Sequence, residues 1–412
     1  MFPDPYRRVL RTPGAPSLYI LALVARIPVA AAPPALTLRV VLGLHQGFAR
    51  SGLIAASVGI GMAVGAPLLG RLIDHRGART ALALTVVAQA LFWVGAATLS
   101  YEWLLPIAFV GGALSIPVFS LARQAVAALL PDADRGAGMS LDSMGVELSY
   151  SIGPALGVVA VTRLGSATAM LVIGASLVLA GAGLFLRNPA TTPEREDSSV
   201  EEPGDVVRPV GRLGALLGFG PAAMAALVAT MGATLALSGT DISLTASMRG
   251  FGRIGLLGVV FAVWCLASLA GGFVYGTRPR GRDPLLMLAL LSGTTVLLAL
   301  AGSWWSLMLL TIPTGVFCAP LLASTANVIA GTVSPERRGR ALGIHSSALT
   351  LGNSAGAPLA GWAVDRWSPP SGFVMVGVLG TLLAVGALAV GARRHGKRAA
   401  DQAVGLGAGD LL

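Results

Sequence analysis

Arg26, Arg123 and Glu147 each stand inside a long apolar run, where an ionisable side chain is costly unless it is paired or hydrated. At 1.5 Å of helical rise per residue, all three lie roughly 10–14 Å from the same end of their runs. Two guanidinium groups and a carboxylate at one depth can form an ion pair that exchanges its partner for a proton. Burial favours the neutral carboxyl and a nearby arginine favours the charged one. Glu147 paired with Arg26 or Arg123 in one state would therefore bind a proton when the pair opens. A permanent structural ion pair is the alternative. Asp142 is expected at a shallower depth, near the loop that carries Arg135, as a further member of the relay or an interfacial charge.

A second charged set lies toward the other ends of the runs. Arg39 ends the first apolar run and Asp241 follows the seventh, and these runs are related by an internal repeat described below. The expectation is a salt bridge between them that gates the extracellular side. Gln124, Thr234, Asn327 and Asn353 are candidates to line a central cavity, with Phe119, Trp264 and Phe317 as its walls. His345 stands at the position of helix eleven that matches Asp142 and is expected to make a polar contact at a helix end.

The elements that must position these groups are membrane spans. Of 412 residues, 54% are hydrophobic and 12% charged, and mean hydropathy is +0.76. A soluble domain carries about 25% charged residues. Half that leaves too little polar surface for a body surrounded by water. Stretches long enough to cross a bilayer fall near 17–42, 51–70, 80–99, 103–130, 139–162 and 166–186. A second set falls near 213–238, 250–276, 284–302, 304–330, 340–364 and 372–392. The polar stretch between the sets, with its acids, serines and prolines, reads as a linker. The expected organisation is a six-helix bundle over 1–187, a cytoplasmic linker over 188–212, a second bundle over 213–392 and a cytoplasmic tail over 393–412. Arg7, Arg8 and Arg11 ahead of an apolar run resemble the start of a signal peptide, but the run continues to about Leu42, so a retained first helix is expected.

The net charge of +10 does not indicate nucleic acid, because the arginines lie in short loops between apolar runs. With the N-terminus inside, the outside loops and helix ends hold only Arg39, Arg50, Arg163, Arg249, Arg253 and Arg366. Both termini are therefore expected to be cytoplasmic, in the inner (plasma) membrane of the cell. The two halves also repeat. A shift of 203 positions lays Arg135-Gly136 on Arg338-Gly339, Ser143 on Ser346, Gly153 on Gly356 and Arg163 on Arg366. Shared membrane composition explains matched alanines but not matched arginines, and repeats of this kind build secondary transporters.

The loop after the second run reads Gly70-Arg71-Leu72-Ile73-Asp74-His75-Arg76-Gly77-Ala78-Arg79. It resembles the signature loop of the major facilitator superfamily, and Gly145 with Gly153-Pro154-Ala155-Leu156-Gly157 resembles the helix-five motif of that family's proton-coupled exporters. The second match is partial, with Val158 where a further glycine is usual. Gly70 would let helices approach and Gly77 would permit a tight turn. Asp74, with Arg76 and Arg79 beside it, would help to lock the cytoplasmic side closed, as the resemblance implies. The chain is similar to exporter-like actinobacterial members of the family.

The expected fold is all-α, with twelve transmembrane helices in two pseudo-symmetric six-helix bundles. The expected activity is proton-coupled efflux of a small, partly hydrophobic organic compound by alternating access. Uptake or facilitated diffusion of a sugar or other metabolite is the alternative, and a non-transporting membrane scaffold a more distant one. The expected partners are the substrate, protons and the lipid bilayer, with no nucleic acid and a monomeric state. No phosphate-binding glycine loop, nucleophile motif or cysteine–histidine cluster is present, so neither an enzyme, a cofactor nor a metal is expected. Cys265 and Cys318 read as packing residues.

Overall fold

A computed structural model describes residues 4–187, 220–276, 283–332 and 338–409. The expected linker falls outside the described residues. What is described is helical, with no strand among the described residues.

A short amphipathic helix, α1 (Asp4–Arg11), precedes α2 (Ala15–Leu38), which ends in a π-helical turn over Arg39–Gly43. α3 (Phe48–Thr98) comprises two predicted spans joined across a kink at Gly77, whose φ of 79° and ψ of 161° are not helical. A positive φ is a conformation that glycine adopts without steric cost, which suits the kink at this residue. The fourth span is split into α4 (Tyr101–Ala113) and α5 (Val118–Leu129). α6 (Asp132–Leu164) and α7 (Ser166–Arg187) complete the first six segments.

The second half comprises α8 (Pro221–Gly250), α9 (Leu257–Gly276), α10 (Pro284–Leu297), α11 (Trp304–Thr332), α12 (Arg338–Arg366) and α13 (Pro369–Gly409). Among the described residues, nine helical stretches are long and apolar enough to cross a membrane. The remaining three predicted spans are the broken α4–α5, the short α10 and the more polar α12. The seventh boundary needs correcting. The helix does not stop near residue 238 but runs to Gly250, which places Asp241 within it instead of after it.

Each half packs within itself, α2 on α6 and α7, α3 on α4 and α7, α8 on α12 and α13, α9 on α11. The halves meet along two antiparallel pairs, α3 with α12 and α6 with α9. Glycines set these approaches. A side chain at Gly52 would meet the Ala357 carbonyl oxygen at 2.5 Å, and one at Gly258 would meet the Ala155 Cα at 2.9 Å. These contacts lie toward the face remote from Arg187 and Gly220, the residues flanking the linker. On that face a shared apolar core joins Ala31, Phe92 and Trp93 of the first half to Leu244, Phe261 and Trp264 of the second.

Candidate functional site

Arg26 of α2 and Asp142 of α6 form a salt bridge of 2.7 Å, and each side chain is only 1% exposed. Nη2 of Arg26 donates to the Asp142 carboxylate, and Nη1 donates to the Asp142 carbonyl at 3.4 Å. Arg123 of α5 approaches the second carboxylate oxygen from the other side, 3.5 Å away, and is 57% exposed. The Phe119 ring lies under the Arg26 guanidinium at 5.2 Å and stacks on Tyr150 at 6.2 Å.

The local fold explains this meeting. Gly153 would place a side chain 2.6 Å from the Ala30 Cβ, and Gly157 one 2.4 Å from the Ala31 carbonyl oxygen. The glycines of the helix-five motif therefore let α6 lie tightly on α2, with Pro154 buried between them. These two glycines face a helix of the same half, while Ala155 between them faces α9 of the other half. Gly145 leaves open the space that Arg26 crosses, its nearest neighbour being Nη1 at 3.7 Å. Tyr19 closes the cluster on one side by donating its hydroxyl to the Gly138 carbonyl at 3.0 Å.

Chemically, the cluster is a buried carboxylate held by one buried and one exposed guanidinium. Removing charges from water is expensive, and only good geometry with further hydrogen bonds offsets it. Arg26 Nε and Asp142 Oδ2 lack a hydrogen-bond partner among the described residues. Arg26 meets Asp142 well inside the bundle, which corrects the shallow placing of Asp142, while the expected pairing of Glu147 with Arg26 or Arg123 falls on a side chain outside the described residues. The side chain of Asp74 lies outside them too.

Arg39 and Asp241 are not brought together. Arg39 is buried, and its guanidinium donates to the Ala96 and Ala97 carbonyls at 3.0 and 2.7 Å and to the Ser166 hydroxyl at 3.2 Å. It caps the last turn of α3, where unpaired carbonyls favour a cation. The expected gate bridge is replaced by a tie within the first half.

Among the described residues, nothing lies within 4 Å of a side chain built at Gly70. Arg79 lies over the Phe185 ring at 4.8 Å, while Arg76 is exposed. Of the expected cavity residues, Trp264 belongs to the shared core and stacks on Phe261. Thr234 returns its hydroxyl to its own helix and abuts Gly352, so it packs α8 on α12. Phe317 packs against the core of the second half. Gln124, Asn327 and Asn353 are exposed, and the Asn353 carbonyl accepts from Ser238 at 2.7 Å. His345 is buried beside Thr325, 3.3 Å away. Among the described residues, no group of side chains could hold a metal ion.

Two parallel sets of six helices, a repeated sequence and an intramembrane charge cluster define a secondary-transporter fold. The sequence matches the family model of the Major Facilitator Superfamily twice, over residues 18–278 and 222–408. The chain belongs to this superfamily and is a membrane transporter, not an enzyme.

Solved structures agree at the level of fold. A variant of the nucleoside transporter NupG superposes with a TM-score of 0.71 at 15% identity, covering 90% of this chain and 98% of that one. A bacterial homolog of the human lysosomal transporter Spinster, in an inward-facing and unoccupied conformation, gives 0.67 at 15% identity, covering 94% and 96%. The human organic anion transporter MFSD10 gives 0.58 at 20% identity, covering 93% and 100%. No curated protein matches the sequence significantly.

Proposed function

We propose that the protein is a proton-coupled exporter of a small, partly hydrophobic organic compound. It works by alternating access, as a monomer, with both termini on the cytoplasmic side of the inner membrane. The single observation that supports this reading is the buried Arg26–Asp142 pair, with Arg123 beside it and still exposed. In the proposed cycle Arg123 leaves Asp142 as the site opens, and the carboxylate takes a proton in its place. Arg26 stays seated on Phe119 and keeps the group inside the bundle. Glu147, five residues further along α6, is the second candidate carrier. The partial helix-five motif, Gly145, Gly153, Pro154 and Gly157, supports export over uptake by resemblance. The linker over 188–212 would join bundles at 1–187 and 213–392, with 393–412 as a tail.

Efflux of ethidium from energised cells tests the reading, with wild type compared with Asp142→Asn and Glu147→Gln at equal expression. The expected result is efflux that a protonophore abolishes and that at least one substitution removes. Efflux indifferent to the protonophore would reject proton coupling.

A further inference from the structure

α3 begins without a cap of its own. The residue before its first turn is Gly47, which offers no side-chain acceptor to the unpaired N–H groups of the helix start. The acceptor comes from the other half of the molecule. The Asp365 carboxylate, one residue before the end of α12, accepts from the Phe48 N–H at 2.9 Å and from the Ala49 N–H at 2.7 Å. Its two oxygens take one amide each, which is the geometry of an N-cap supplied in trans.

The backbones are close enough for this because small residues face each other. A side chain at Gly361 would meet the Phe48 carbonyl oxygen at 2.3 Å, and one at Gly47 would meet Asp365 Oδ2 at 2.4 Å. Among the described residues, the second pair of helices joining the halves shows no such device. The 203-position repeat lays Asp365 on Thr162 of α6, whose hydroxyl donates to the Val158 carbonyl of its own helix at 2.9 Å. The contact is therefore specific to one interface, and it lies where two rigid halves must part if access is to alternate.

We propose that Asp365 is a positioning residue for transport: its carboxylate caps α3 across the bundle interface and holds the face remote from the linker closed. The start of a helix carries about half a positive charge, which a carboxylate stabilises. Two charge-assisted hydrogen bonds add to that. The whole contact is lost when the halves separate, so it biases the equilibrium between conformers without touching substrate. The inference rests on the alternating access of the proposed function, but not on the proton, the substrate or the direction.

Spin labels test it. Cysteines at Arg163 and Arg253, both exposed near the second interface on the same face, report the separation of the halves in a Cys265→Ala, Cys318→Ala background. Pulsed electron–electron distances are measured in lipid nanodiscs without substrate or gradient. Asp365→Ala is expected to raise the ratio of open to closed molecules by roughly three- to tenfold. Asp365→Asn, which keeps an acceptor without the charge, falls between. Gly47→Ala serves as a second variant, because its methyl group displaces the carboxylate while Asp365 is retained. Distance distributions unchanged from the parent in Asp365→Ala and Gly47→Ala would overturn the proposal. Because the readout needs no transport, that result would leave proton-coupled export standing. Conversely, an ethidium efflux that ignores protons would leave this contact standing.

Discussion

Arg26 and Asp142 form an ion pair of 2.7 Å in which neither side chain is more than 1% exposed. Breaking such a pair strands a charge away from water and costs about 3–5 kcal/mol. Arg26→Ala and Asp142→Ala are each expected to lower the unfolding temperature in detergent. Arg26→Met combined with Asp142→Leu should recover much of the loss, because both charges leave together. Thermal unfolding of the three variants beside the wild type checks this, and an additive loss in the double variant would show that the pair is not coupled.

The contact between α6 and α2 gives a steric prediction. Gly157→Val places its branches against the Ala31 carbonyl, 2.4 Å from where the first carbon must stand. It should destabilise the fold by roughly 1–3 kcal/mol. Gly136→Ala, on the same helix but facing open space, should be neutral or slightly stabilising. Unfolding midpoints that fall equally in the two variants would contradict the packing described.

Arg39 ties the end of α3 to α2 and α7 through three hydrogen bonds. Arg39→Ala should lower thermal stability, since it leaves the Ala96 and Ala97 carbonyls without this partner. Reversing charge at both sites, Arg39→Asp with Asp241→Arg, should not restore what Arg39→Asp loses. Rescue of stability or transport by the double reversal would show that the two residues meet in another state.

Ala155 and Gly258 approach closely where α6 meets α9, the Ala155 Cβ standing 3.0 Å from a side chain built at Gly258. Cysteines at both positions, with the native cysteines removed, should cross-link under mild oxidation. The link should stop transport, and reduction should restore it. Transport that continues at full rate with the link intact would mean that these helices need not separate.

Much of this architecture was legible from the sequence, because the bilayer requires long apolar runs and the runs could be counted. The arginines at 135 and 338 disclosed the repeat, since membrane composition alone does not align them. Depth was harder to read. The fifth span looked as though it began near residue 139, but α6 starts at Asp132, so its first turns are polar. Asp142 is thereby about ten residues into its helix, at the depth of Arg26, which is about eleven residues into α2. The same kind of error placed Asp241 outside α8, because a polar serine- and threonine-rich end looked like a loop. Asp365 left no local signal at all. Its partners are backbone amides more than 300 residues away, and only the packing of α3 on α12 brings them together.

The most direct test of the central claim is gradient-driven transport by the purified protein in liposomes, with the membrane potential clamped. Ethidium is a permanent cation, so a pH difference alone does not trap it. With the lumen acidic, wild-type protein should accumulate ethidium on trapped DNA, nigericin should collapse the accumulation, and Asp142→Asn should only equilibrate the dye. Accumulation that survives nigericin, or that matches wild type in both Asp142→Asn and Glu147→Gln, would contradict the account.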